Sequence, residues 1–184
     1  YFKKETMSIV TNVLKANSHI QTLSFAGALG VTLKQWEMLG EAVLHHKGIT
    51  ELQLAGGYGS RLRSGTGVEA IAKLLNHNKG VHFTLLLVNF GFRDKEAAAL
   101  SAEMAREATT SSTTPITSTV TLNLNDNYIH AKGATVLANG LKNNRRVTAL
   151  HLKENEILCD GAAALAEALK TNTALTTLDL RSNN

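Results

Sequence analysis

Residues 120–129 read Val-Thr-Leu-Asn-Leu-Asn-Asp-Asn-Tyr-Ile, and residues 148–157 read Thr-Ala-Leu-His-Leu-Lys-Glu-Asn-Glu-Ile. The two phrases lie 28 residues apart, and at the same offset Gly133 falls on Gly161, Leu137 on Leu165, Leu141 on Leu169 and Asn144 on Asn172. A third copy starts at Leu178-Asp179-Leu180 and reaches Asn183. Agreement at one fixed spacing marks an internal repeat. Within each copy, L-x-L has the period of a short strand with one buried face. The following A-x-x-x-L-A-x-x-L has the period of a helix with one apolar stripe. In the best copy that stripe is Ala162, Leu165 and Leu169, and Asp160 is expected to cap its helix. Neither element can bury its stripe alone, so successive copies stack.

Toward the amino terminus the phrase decays. Ile49, Leu52 and Leu54 mark a strand, with Gly67, Ile71, Leu75 and Asn78 supplying its helix half. Ile20, Leu23 and Phe25 mark an earlier strand, followed by Leu39 and Val43 on a helix. Met7 to Asn17 reads as the helix of a preceding repeat, with Ile9, Val10, Val13 and Leu14 on one face. The middle copy, residues 81–90, has two registers. Either Thr84/Leu86 or Leu85/Leu87 faces inward, and the second is favoured because it keeps the spacing to Phe92, Leu100 and Met104. The choice decides the surface, because a one-residue slip turns every side chain over.

Strands stack about 4.8 Å apart and helices about 8–10 Å apart, so the stack is expected to curve with its strands inside. The asparagines after each strand, Asn127, Asn155 and Asn183, are expected to satisfy buried backbone groups where the chain turns away.

The phrase L-x-L-x-x-N-x-I-x-x-x-G-A-x-x-L-A-x-x-L-x-x-N resembles the 28-residue, ribonuclease-inhibitor-like class of leucine-rich repeats, closely over residues 119–184 and more loosely over 7–107. The resemblance implies an α/β fold: a right-handed solenoid, or horseshoe, with a concave parallel β-sheet and convex α-helices. It implies a single leucine-rich-repeat domain over residues 1–184, with strands near 23–25, 52–54, 85–87, 122–124, 150–152 and 178–180 and insertions at 57–67 and 108–119. Related repeats occur in NOD-like receptor sensors, Ran GTPase-activating protein and tropomodulins. The implied function is a protein–protein interaction scaffold, with a GTPase activator and an actin-capping cytoskeletal module as alternatives. The ribonuclease inhibitor is cysteine-rich and this chain is not, so that activity does not carry over.

Partner contacts are expected on the concave face and the rim loops. The face positions singled out are Glu51, Gln53, Leu86, Val88, Asn123, Asn125, His151, Lys153, Asp179 and Arg181. The apolar Leu86/Val88 pair suits an interface centre with a polar rim. In the glycine-rich first insertion, Tyr58, Arg61 and Arg63 are typical contact residues, and either arginine is where a GTPase-activating finger would sit. The second insertion, rich in Ser and Thr, reads as a solvated loop.

Other chemistry is weakly supported. Net charge is +4, from 19 Lys+Arg against 15 Asp+Glu, and the densest basic spots (Arg61/Arg63 and Lys142/Arg145/Arg146) lack an aromatic platform, so nucleic acid is not an expected partner. Gly65-x-Gly67-x-x-Ala70 matches a dinucleotide fingerprint, but its strand ends too far upstream and Val88 and Asn89 stand where the acidic residue belongs. The seven histidines do not share a ligand spacing, and no nucleophile motif appears. No cofactor, metal or catalytic residue is therefore assigned. A single cysteine, Cys159, and the lack of an N-x-[ST] sequon suit an intracellular location. No apolar run reaches the roughly 18 residues of a membrane span. The start at Tyr1 and the stop part-way through a repeat suggest a fragment of a longer protein.

Overall fold

The computed structural model describes residues 4–26, 33–46, 48–55, 67–76, 82–108 and 118–184. Among the described residues, six strands alternate with six α-helices. The order is α1 (Lys4–Ala16), β1 (Thr22–Ala26), α2 (Leu33–His45), β2 (Glu51–Ala55), α3 (Gly67–Lys73), β3 (Phe83–Leu86), α4 (Asp94–Ala108), β4 (Val120–Asn123), α5 (Ala131–Leu141), β5 (Val147–His151), α6 (Leu158–Leu169) and β6 (Thr177–Asp179). The strands form one parallel sheet in chain order, β1 to β6. Parallel neighbours need a crossover, and each crossover here carries a helix.

The sheet register follows the leucines. Leu23, Leu52, Leu85, Leu122, Leu150 and Leu178 pair in one row across all six strands. Their chain spacings are unequal, so the extra residues of the early repeats must lie between elements rather than within strands. Leu52, Leu54, Leu85, Leu87, Leu122, Leu124, Leu150 and Leu152 share a buried cluster with Leu39, Val43, Ile71, Leu75, Leu100, Met104, Leu137 and Leu165 from the helices. In the middle copy Leu85 and Leu87 are fully buried while Thr84, Leu86 and Val88 are half-buried. Phe92, Leu100 and Met104, each 0% exposed, belong to the same buried cluster as that pair.

The asparagines do what buried backbone requires. Asn127 Oδ1 accepts from the Phe90 and Phe92 N–H groups, both at 3.0 Å. Its Nδ2 donates to the carbonyls of Leu87, Leu124 and Asn125 at 2.8, 2.9 and 3.0 Å. Asn155 and Asn183 repeat the pattern one and two copies on, each reaching back to the preceding strand's carbonyl. A second column holds the helix-to-strand turns. Asn144 Nδ2 donates to the Met104 carbonyl at 2.9 Å, and Asn172 Nδ2 to the Leu141 carbonyl at 2.6 Å.

Three expectations are corrected. Asp160 does not cap α6: the helix begins at Leu158, Ile157 holds the cap position without a side-chain bond, and Asp160 lies within the first turn. Side-chain closure of a helix start occurs at α4, where Glu96 Oε2 accepts from the Arg93 N–H at 3.0 Å, the returning half of a capping box. Arg146 is not part of an exposed basic patch. It is buried, and its Nη1 donates to the Leu75 carbonyl at 2.7 Å, where a cation suits the end of a helical segment. On α1 the apolar face is split: Leu14 is buried, but Ile9 and Val13 are 62% and 48% exposed, because α1 packs chiefly on α2 among the described helices.

A candidate binding face

Alternation along each strand turns every second side chain away from the helices. On β2 to β5 these residues are half-exposed throughout. The register assembles them into rows. One row runs Ser24, Gln53, Leu86, Asn123, His151, Asp179. The next runs Val88, Asn125, Lys153, Arg181, carried past the strand ends by N–H to carbonyl bonds from Asn89 to Asn125, Asp126 to Lys153 and Glu154 to Arg181. Ten of the expected contact residues (Glu51, Gln53, Leu86, Val88, Asn123, Asn125, His151, Lys153, Asp179 and Arg181) thus share one open face. Tyr58, Arg61 and Arg63 lie outside the described residues, as does most of the Ser/Thr-rich insertion.

The early end of the face is closed on itself. Gln53 Nε2 donates to Glu51 Oε1 at 2.5 Å, Ser24 Oγ donates to Gln53 Oε1 at 3.1 Å, and Thr22 Oγ1 approaches Glu51 Oε2 at 3.5 Å. Leu86 and Val88 follow as the apolar centre. Past them, Asn123 Oδ1 accepts from the Asn125 N–H at 3.0 Å, and Asn125 Oδ1 accepts from the Lys153 N–H at 2.8 Å.

Charge gathers at the late end. Arg181 Nε and Nη2 donate to the two Asp179 carboxylate oxygens at 2.9 and 2.7 Å. This bidentate grip, with the Arg181 backbone N–H, holds the Asp179 carboxyl well below the usual range. His151 Nδ1 stands 3.9 Å from Asp179 Oδ2. Lys153 Nζ meets Glu154 Oε1 at 2.8 Å. That bond lowers the Glu154 carboxyl and raises the Lys153 ammonium.

Asp126 and Glu154 were missed by the sequence reading. Each has positive φ, 57° and 55°, at the turn where the chain leaves its row, as do Asn89 at 50° and Ser182 at 54°. Left-handed backbone at the same place in successive repeats stacks Asp126 on Glu154. A hydrogen bond with Glu154, desolvation and Glu154's charge then push the Asp126 carboxyl above its ordinary range. The signal was available, since both residues stand one position before the repeat asparagine. Side-chain contacts also cross the strand-to-helix edge, where His130 Nε2 lies 3.2 Å from Glu156 Oε2 and His130 Nδ1 3.6 Å from Asp94 Oδ1.

Among the described residues, no group of three or more His, Cys, Asp or Glu could hold a metal ion. Among them, too, no helix is long and apolar enough to cross a membrane.

No protein-family model matches the sequence. No curated protein matches it either. Solved structures do match in fold. One is of leiomodin-1 actin-binding site 2, with 15% identity and a TM-score of 0.51, over 98% of this chain and 80% of that one. Another is the tropomodulin C-terminal domain of Caenorhabditis elegans, with 14% identity and a TM-score of 0.50, over 95% of this chain and 81% of that one. These neighbours are leucine-rich-repeat-like domains. At such identity the likeness is one of fold.

Proposed function

We propose that this chain is a protein-recognition module, a right-handed leucine-rich-repeat solenoid of the ribonuclease-inhibitor-like class, whose open sheet face is concave and receives the partner. The observation that carries this reading is the row built from separate repeats, Leu86, Asn123, His151 and Asp179. A half-exposed apolar pair, Leu86 and Val88, is bordered there by amides and charges, the composition of an interface centre and its rim. Curvature follows from helices that need more room than strands. Capture of a partner by the whole chain tests it. Leu86→Asp, or Arg181→Glu, is expected to weaken capture while circular dichroism stays unchanged. Retention of the partner by both folded variants rules the face out.

One second reading has a specific observation in its favour. The fold matches leiomodin-1 actin-binding site 2 and a tropomodulin domain over nearly the whole chain, which supports a cytoskeletal, actin-binding module. Co-sedimentation with actin filaments and a pointed-end elongation assay test it, and no pelleting with no inhibition removes it. A GTPase activator rests on Arg61 or Arg63 alone, and faster hydrolysis by a small GTPase that Arg61→Ala or Arg63→Ala abolishes is the result it requires.

A further inference from the structure

Between β3 and β5 the face carries two side-chain amides, Asn123 and Asn125, side by side. The carbonyl oxygens of Asn123 and Asn125 are each held by a backbone N–H, at 3.0 and 2.8 Å. That fixes each amide plane and turns its NH2 group away from the strand. The carboxylates nearby are also engaged, Asp179 by Arg181 and Glu154 by Lys153. These acceptors therefore bond within the protein. The Nδ2 groups of Asn123 and Asn125 have no partner among the described residues.

Spacing adds a second constraint. Asn123 and Asn125 are two residues apart on one face, so their amides repeat at about 7 Å. The carbonyls along one edge of an extended chain repeat at the same about 7 Å. To one side of the amides stand Leu86 and Val88, and to the other His151 and Lys153. A chain lying with one edge on the amides sends its side chains alternately left and right.

We propose that this strip binds an extended segment of a partner protein in which apolar and acidic residues alternate. Its carbonyls accept from the Asn123 and Asn125 amides. Its apolar side chains cover Leu86 and Val88, and its carboxylates meet Lys153, whose ammonium has two further donors beyond the Glu154 bond. A nucleic-acid backbone is a poorer match, because it carries no alternating apolar side chains to cover the half-buried Leu86 and Val88. The proposal rests on the open-face reading above and specifies its occupant.

The probe is a peptide alternating valine and aspartate over about ten residues, titrated into the isotope-labelled chain. Controls are a peptide with the same residues in two blocks, a valine–lysine alternation, and a single-stranded oligonucleotide. The alternating acidic peptide is expected to shift the Asn123 and Asn125 side-chain amide resonances. It should bind roughly tenfold more tightly than each control, and Asn123→Ala with Asn125→Ala should remove roughly that tenfold. Equal binding of the block peptide, tighter binding of the oligonucleotide, unmoved amides or no binding at all each overturn the proposal. Suppose Leu86→Asp abolishes capture of a natural partner while Asn123→Ala and Asn125→Ala leave it intact: the open face then stands and the extended occupant falls. If none of these variants matters to capture, both fall.

Discussion

His46 donates from Nε2 to the backbone carbonyl of Asn17, the same link that Asn172 Nδ2 makes to the carbonyl of Asn144 at 2.9 Å. The correspondence extends to the acceptor side. His46 Nδ1 accepts from the Gly48 N–H at 3.2 Å, as Asn172 Oδ1 accepts from the Ala174 N–H at 2.9 Å. A neutral imidazole protonated on Nε2 offers one donor and one acceptor, and so replaces half of the Asn172 set, whose amide also donates to the Leu141 carbonyl at 2.6 Å and accepts from the Leu175 N–H at 2.8 Å. His46→Asn is therefore expected to keep most of the stability in a urea titration. His46→Ala leaves buried backbone groups unsatisfied and should cost about 1–3 kcal/mol. Equal loss in both variants would count against the equivalence.

Asn127 makes five hydrogen bonds to backbone from a buried position. Asn183, in the same place two repeats on, is only half-buried and part of its set is exposed. Solvent can replace the partners of Asn183 but not those of Asn127. Asn127→Ala should thus cost about 2–4 kcal/mol, well above Asn183→Ala measured the same way. Similar losses at the two positions would mean that burial does not set the value of this column.

How much of this was legible depends on which force fixed each element. The leucine rows and the asparagine column follow from local periodicity, so L-x-L-x-x-N was enough to find them. The run from Val81 to Val88 is apolar at both parities, and its register shows in the burial of Leu85 and Leu87 in one core with Phe92, Leu100 and Met104, a tertiary decision that the spacing already favoured. His46 stayed hidden because a different letter does the asparagine's work. Arg146 stayed hidden because its partner, Leu75, is 71 residues away. The face was legible position by position, since strand alternation gives it directly. Its electrostatics were not, because the stacking of Asp126 on Glu154 depends on left-handed turns that only the backbone reveals.

Helix α5 approaches α4 at a glycine. A Cβ on Gly140 would stand 2.6 Å from Ser101 Oγ, 2.7 Å from its carbonyl oxygen and 2.8 Å from its Cα. Two of those three atoms are backbone, so trimming the serine cannot relieve the clash. Gly140→Ala should destabilise by about 1–3 kcal/mol despite the helix propensity it gains. Adding Ser101→Ala should recover only a minor part, as read by thermal and urea unfolding. Full rescue would show that the hydroxyl alone sets the distance.

Acid titration separates the two carboxylates of the late face by sign. Asp179 has its folded-state pKa depressed by Arg181. Its stabilisation is complete above the unfolded value of about 3.9 and is lost as pH falls below it. Asp126 is shifted the other way by Glu154. Its contribution is complete below about 3.9 and is lost as pH rises through the raised folded value. Asp126→Asn removes that loss, so the variant's advantage over the parent should grow from about pH 3 to about pH 7. Asparagine also accepts the φ of 57° at this turn more readily than most residues, but that gain is independent of pH, so the difference between the two pH values carries the test. Arg181→Gln should act in the opposite sense, with stability reduced near neutrality and the deficit shrinking toward about pH 3. Parallel stability curves for parent and Asp126→Asn across that range would show that the Asp126–Glu154 contact does not form in solution.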